Sequence, residues 1–218
     1  MKKKLVIALA LLLFFSTYNP KNLSFGNKFK LIKIDIENNF IVSEEKIKSD
    51  LAFLYNTNLF ILDSSSIEKE LKKISFIESY KIKKIYPNKL KIIIYEKKPI
   101  AILQFKKKKF YISENMKLVD YEKQDEFKDL PTVFGNQNDF KTLYNTLNKI
   151  NFPKDIIKNY YYFESKRWDL ETSKKKIIKL PQKNYEESLI NFINLSKQSI
   201  YDKYEIFDYR INNQLILK

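Results

Sequence analysis

Residues 77–95 read IESYKIKKIYPNKLKIIIY, and their arrangement decides the fold of the first half of the chain. Two apolar-rich runs, about Ile77–Ile85 and Leu90–Tyr95, flank Tyr86-Pro87-Asn88-Lys89. Pro87 fixes φ and Asn88 tolerates the left-handed region, so these four residues predict a turn between two strands. Upstream, Ile32, Ile34 and Ile36 alternate with Lys33, Asp35 and Glu37, the period of a half-buried strand. Ser43-Glu44-Glu45 supplies a cap and two acids for a helix whose apolar face is Ile47, Leu51, Leu54 and Tyr55. Asn56-Thr57-Asn58 ends that helix, and Leu59–Leu62 is a short apolar connector. A capping box at Ser65-x-x-Glu68 starts a second helix with Ile67, Leu71 and Ile74 inward. The predicted order over residues 29–97 is therefore β-α-α-β-β, two helices on a three-stranded sheet. Such a sheet has two edges, and an exposed edge is a docking surface for an extended partner.

Downstream of Pro99, residues 98–218 predict a mixed β-domain with two helices. Strands are expected at Ile100–Phe105, Phe110–Ser113 and Lys117–Val119, with a charged loop over Tyr121–Asp129. Leu130-Pro131-Thr132-Val133-Phe134-Gly135 precedes a helix over Asp139–Ile150, which Pro153 stops. Further strands are expected at Tyr160–Phe163, Arg167–Glu171 and Lys175–Lys179, then a helix at Tyr185–Leu195. The chain closes on Tyr204–Arg210 and Gln214–Leu217 around an Asn212-Asn213 turn. The fold class is α+β.

Residues 1–28 form a third region. Met1-Lys2-Lys3-Lys4 precedes an uninterrupted apolar run that includes Leu5, Val6, Ile7, Leu9, Leu11, Leu12, Leu13, Phe14 and Phe15. A basic flank and an apolar segment make a membrane-targeting signal, read either as a cleaved signal peptide or as a retained anchor. Counted through the residues over which it fades, to a length of up to about fourteen, the run spans only about 21 Å of a ~30 Å hydrocarbon layer, which suits a signal peptide. Tyr18 stands where a cleavage site needs a small residue, which suits an anchor, with the lysines snorkelling at one interface. A spanning segment would keep Lys2–Lys4 in the cytoplasm and the bulk of the chain outside. Residues 19–28 read as a linker.

Composition removes most enzyme chemistry. Among 218 residues there is no His and no Cys, so imidazole and thiolate nucleophiles and metal sites are excluded. The only two glycines, Gly26 and Gly135, lie far apart, which excludes phosphate-cradling loops. Carboxylate pairs remain, and none sits in a recognisable context. The net charge of +15 comes almost wholly from lysine, since Arg167 and Arg210 are the only arginines. Nucleic-acid contacts favour arginine, so no nucleic acid is expected as a partner, and the runs Lys106–Lys109 and Lys174–Lys176 read as solvated hairpin tips. Neither a cofactor nor a small-molecule substrate is implied.

The β-α-α-β-β module behind an N-terminal anchor resembles a POTRA domain, and its closing hairpin resembles that of the bacterial cell-division family FtsQ/DivIB. The motif residues are Lys84-Ile85-Tyr86-Pro87-Asn88-Lys89-Leu90, then Glu96-Lys97-Lys98-Pro99-Ile100-Ala101. Ser75-Phe76-Ile77 stands for the family's Pro-Trp-Val, and Asn38 or Asn39 for its Gly after the first strand. The second half resembles the family's β-domain at Leu130–Gly135, at Arg167-Trp168-Asp169-Leu170 through Leu180, and at Asp208-Tyr209-Arg210. Both arginines fall inside these motifs. The alternatives for them are a requirement for guanidinium geometry or a structural ion pair.

The resemblance implies a non-enzymatic bitopic scaffold of the divisome in the cytoplasmic (inner) membrane, with its bulk in the periplasm. It further implies FtsB- and FtsL-type partners held by the β-domain, a possible recruiter at the POTRA module, and a place at the septum. In this family the last strand pairs with a partner segment, which would be Gln214, Leu215, Ile216 and Leu217 here. Arg167, Trp168, Arg210 and Ile211 complete the expected partner site, the arginines pairing with partner carboxylates. The chain ends at Lys218, which would leave that strand uncovered. The other expected class is an extracytoplasmic assembly chaperone, since POTRA-like modules also handle envelope proteins.

Overall fold

The computed structural model describes residues 2–17, 28–211 and 214–218. The expected linker and the Asn212-Asn213 turn fall largely or wholly outside them. The chain divides into two units, Met1–Lys73 with Ser79–Tyr95 and Ile74–Glu78 with Glu96–Lys218.

Helix α1, Lys2–Thr17, contains the N-terminal apolar run, and Leu5 through Phe15 are exposed along it. Among the described residues no helix is long and apolar enough to cross a membrane.

In the first unit, β1 (Lys33–Glu37), β2 (Ile77–Ile85) and β3 (Lys89–Glu96) form a sheet of order β1-β3-β2. β1 runs parallel to β3, with Ile34 opposite Leu90 and Ile36 opposite Ile92, and these four residues are buried on one face. Helices α2 (Glu44–Asp50) and α3 (Ser64–Leu71) supply Ile47, Ile67 and Leu71 to the same core. The Ser43 cap forms as expected, its hydroxyl accepting from the Lys46 amide at 3.3 Å. Three details differ from the sequence pattern. The first helix gives way at Leu51 to a single 3-10 turn, Ala52–Leu54. The second helix is capped by Asp63, whose carboxylate accepts from the Ser65 amide at 3.1 Å, which moves the cap two residues ahead of the predicted Ser65. Ile32 is 65% exposed although it keeps the strand period, because Leu31 exchanges hydrogen bonds with Thr57 and Asn56 and takes the buried place instead. Asn38 holds φ at 63° after β1 and its amide donates to the Ile94 carbonyl at 2.8 Å. A left-handed asparagine thus serves where the family pattern has glycine.

The second unit is built on a nine-stranded sheet. Its strands are β4 (Pro99–Phe105), β5 (Lys108–Ser113), β6 (Leu118–Asp120), β7 (Thr132–Phe134), β8 (Ile157–Tyr162), β9 (Trp168–Thr172), β10 (Ile177–Lys179), β11 (Ile206–Asp208) and β12 (Ile216–Leu217). They lie in the order β12-β11-β10-β9-β8-β7-β4-β5-β6. Cross-strand register aligns Leu103, Val133, Tyr160, Leu170, Ile178, Phe207 and Leu217 in one row. Helices α4 (Gln137–Lys149) and α5 (Tyr185–Leu195) add Phe140, Leu143, Leu147, Leu189 and Phe192 to the core around this row. A third, short helix, α6 (Ile200–Lys203), was not legible beforehand; it brings Tyr201 against Phe192 and Phe207.

The predicted strand Tyr204–Arg210 is shorter, Ile206–Asp208, and Gln214–Leu217 contracts to Ile216–Leu217. Lys176 explains part of this. Its ammonium donates to the Asp202 and Tyr204 carbonyls at 3.2 and 2.7 Å, capping the end of α6, and the side chain is buried over the Tyr201 ring. It is therefore a cap and not part of a solvated tip, whereas Lys106–Lys109 are exposed as expected.

Gly135 follows β7 where the backbone passes close to β8 and β9. A Cβ there would stand 2.9 Å from Tyr162 Cβ and 3.4 Å from the Trp168 ring. The first of these atoms is fixed to the main chain, so Gly135→Ala forces β7 and β8 apart. We expect a loss of about 1–3 kcal/mol, read as a lowered urea midpoint at unchanged slope.

Candidate functional site

The sheet ends on β12, and its register determines what that edge presents. Lys218 and Ile206 exchange backbone hydrogen bonds, at 3.1 Å from the Lys218 amide and 2.9 Å from the Ile206 amide. Leu217 is the next residue along and lies opposite Phe207. In an antiparallel pair the hydrogen-bonded and non-hydrogen-bonded positions alternate, so the Leu217 N–H and C=O point away from β11. Among the described residues no strand pairs with that side of β12. Leu215 and Leu217 pack their side chains partly into the core, while Ile216 is 36% exposed.

Beside this edge lies an open groove of about 640 Å³, lined on one side by Asn184, Glu187 and Asn191 of the α5 region and on the other by Tyr209, Gln214 and Leu215. Ile211 also lines it. The Tyr209 hydroxyl donates to Asn191 Oδ1 at 2.9 Å, tying α5 to the segment that follows β11, and burial pushes the phenol pKa up. The sequence pattern did not mark Asn191 or Glu187, because polar residues on a helix read as its solvated face.

The sheet face opposite the helices carries charge. Register aligns Tyr161, Asp169, Lys179, Asp208 and Ile216 across the five strands from β8 to β12. Asp208 is buried, and Arg210 binds it twice, Nε to Oδ1 at 2.8 Å and Nη2 to Oδ2 at 2.6 Å. These bonds, with one from the Arg210 amide, hold the Asp208 carboxyl below the usual range despite its burial. Arg167 joins the same face two strands away. Its Nε forms an ion pair with Asp169 Oδ1 at 3.5 Å, too poorly aimed to be a hydrogen bond, so both atoms are buried without a hydrogen-bond partner. Its guanidinium instead lies over the Phe163 ring, 4.7 Å from the centroid. Burial raises the Asp169 pKa, and the Arg167 and Lys179 charges oppose that rise.

Of the predicted site residues, Arg210, Ile211, Gln214, Leu215, Ile216 and Leu217 thus come together at one end of the sheet. Arg167 lies on the same face but away from the edge. Trp168 points the other way, buried against Tyr162 and Phe140, and its place is in the core. Asp169 and Asp208 were visible as motif members, but their burial was not.

A family model described as "POTRA domain, FtsQ-type" matches residues 29–97, and one described as "Cell division protein FtsQ/DivIB, C-terminal" matches residues 101–210. The chain belongs to the FtsQ/DivIB family. It is 28% identical over 199 residues to the cell division protein FtsQ of Rickettsia bellii, covering 87% of this chain and 72% of that one. The FtsQ of Rickettsia conorii is 26% identical over 197 residues with the same coverage, and that of Agrobacterium fabrum 21% over 163 residues, covering 74% and 51%. The major extracytoplasmic domain of Geobacillus stearothermophilus DivIB aligns with 50% of this chain and 98% of its own at 12% identity. Its TM-score of 0.34 is too low to compare the folds. As an FtsQ/DivIB member the protein is a division-site membrane protein with a POTRA module and a mixed β-domain. All of β12 and part of the groove lie beyond residue 210, outside the matched region.

Arg210→Ala removes the main partner of a buried carboxylate. Because Arg210 is itself 41% exposed, the loss at neutral pH should be about 1–2 kcal/mol rather than the full cost of a buried pair. The Asp208 pKa is depressed by folding, so this stability is present above the normal carboxylate pKa and disappears as pH falls through the folded value. Urea unfolding of wild type and variant should therefore converge below about pH 3–4.

Proposed function

We propose that this protein is a non-enzymatic bitopic scaffold of the divisome whose β12 edge receives an extended segment of an FtsB- or FtsL-type partner as a further strand. The observation that supports this reading is the free main chain of Leu217, together with the adjoining groove that could take the partner's side chains. Arg210 fits a supporting role. Guanidinium has five N–H donors, and Asp208 takes one each on Nε and Nη2, which leaves the others of a partly exposed side chain for a partner carboxylate. Arg167, spent on Phe163 and Asp169, fits that role less well.

The membrane side of the proposal rests on α1. Sixteen helical residues extend about 24 Å, short of a ~30 Å hydrocarbon layer, and Lys2–Lys4 supply a flank that can snorkel to the cytoplasmic interface. On this reading the POTRA module and β-domain sit in the periplasm at the septum, and the POTRA module is free to meet a recruiter.

The test exploits the register. Leu217→Pro removes an outward N–H without touching the ladder to β11, whereas Ile216→Pro removes an inward one. Full-length protein in detergent should capture the extracytoplasmic parts of the cognate FtsB and FtsL. Leu217→Pro should retain its circular dichroism spectrum and lose capture at least tenfold. Capture by the folded Leu217→Pro variant at wild-type level would move the partner site away from this edge, and no capture by the wild type would remove the scaffold reading.

A further inference from the structure

The first unit carries a second surface that the divisome reading does not use. Three segments meet at one end of its sheet. Leu59 donates to the Phe29 carbonyl at 2.8 Å, Leu31 to Thr57 at 2.9 Å, and Ile32 to Asn88 at 2.9 Å, which ties residues 29–32, 57–59 and the 86–89 turn together. From this knot project Phe29, Ile32, Phe60, Ile61 and Tyr86. Phe60 stacks on Tyr86 with centroids 4.6 Å apart and meets Phe29 edge-on at 4.4 Å. These contacts leave Ile61 82%, Phe60 55% and Tyr86 48% exposed. The display is held from below: the Lys84 ammonium donates to the Leu62 carbonyl at 2.7 Å and lies 3.5 Å from that of Phe60.

Lysines ring the patch. Lys28, Lys30 and Lys89 are exposed, and among the described residues none of the three makes an ion pair. The acids near this end are otherwise engaged, Asp35 with Lys33 at 2.7 Å and Asp63 with the start of α3. An apolar, aromatic centre inside a cationic rim matches the chemistry of an anionic bilayer interface, where rings sit at headgroup depth and ammonium groups meet phosphates. Chain connectivity points the same way. The patch forms where the chain enters the unit, and residues 18–27 between it and α1 can span at most about 35 Å.

We propose that this end of the POTRA module docks on the surface of the membrane that holds α1, binding anionic phospholipid through Phe60, Ile61 and Tyr86 with Lys28, Lys30 and Lys89 around them. The tether argument rests on α1 being an anchor, and the patch argument does not. Docking fixes the module against the bilayer and leaves the opposite end of β1, with the Asn38 turn, facing away.

Because the chain has no cysteine, single-site nitroxide labels report each part separately. Ile61→Cys, Glu45→Cys and Leu9→Cys would be labelled in the full chain and reconstituted into phosphatidylcholine–phosphatidylglycerol vesicles. Accessibility to oxygen and to a water-soluble nickel chelate then gives the depth of each label. The label at 61 should lie in the interface and the one at 45, exposed in the first turn of α2, in water. Replacing Lys28, Lys30 and Lys89 by Gln, or omitting phosphatidylglycerol, should reduce the docked-to-undocked ratio on the order of 100-fold. A label at 9 within the bilayer and a label at 61 in water would overturn the docking and leave the anchor standing. A label at 9 in water would refute the anchor, and the label at 61 would still decide the patch, immersion supporting it and water overturning it. Immersion that ignores both the lysines and the lipid charge would overturn the anionic-lipid assignment.

Discussion

Two helices cover one face of a nine-stranded sheet, and the organisation of the second unit follows from that asymmetry. The row from Leu103 to Leu217 is apolar throughout, because α4 and α5 exclude water from it. A side chain on the other parity of the same strands points away from α4 and α5. It can carry charge, and Asp169, Lys179 and Asp208 do. Their spacing across the ladder places opposite signs on neighbouring strands, which helps the short strands β10 and β11 keep register with β9. The asymmetry reaches the edge as well. Leu215 and Leu217 are held by the core face, so β12 is fixed by its side chains and by β11 while its outer main chain stays unpaired.

Gly135 and Trp168 anchor this arrangement in the middle of the sheet. The ring fills the core between Tyr162 and Phe140, and the chain after β7 passes so close to Tyr162 Cβ that no Cβ fits, with the Trp168 ring next to the same spot. The two residues are distant in sequence and belong to separate motifs, yet they act as one packing unit. Trp168 is buried, so its structural role is to support the sheet.

The fold was largely legible because period-two alternation is strong in β1, because apolar runs mark β3 and β4, and because Ser43, Pro87 and Pro153 punctuate the chain where elements change. What escaped has a common cause. Ile32 keeps the alternation and is still exposed, since hydrogen bonds with the 56–57 loop, rather than the strand's own pattern, place Leu31 in the buried position. Lys176 belongs to a basic run and is still buried, since a helix that starts twenty-four residues later needs its carbonyls capped. Trp168 sits in a family motif beside an arginine, and only the pleat shows that the two point to opposite faces. In each case the deciding partner is remote in sequence. The edge strand itself was legible, but the identity of Leu217 as the outward-facing residue depends on a register that periodicity does not contain.

The two arginines resolve the alternatives left by a lysine-rich composition, and they do so differently. Arg210 uses two-point geometry, which a lysine cannot reproduce, to neutralise a buried carboxylate while keeping donors in reserve. Arg167 uses its flat face on Phe163 and leaves Nε and Asp169 Oδ1 mismatched. A structural pair and a recognition group are therefore not exclusive in Arg210: engagement with Asp208 fixes the rotamer of a long side chain that would otherwise lose its freedom on binding. Electrostatic attraction contributes little at that point, because the Arg210–Asp208 pair is neutral overall. On the proposed reading, selectivity at the edge would rest on main-chain pairing at Leu217 and on the fit of side chains in the groove, with Arg210 setting the direction of approach.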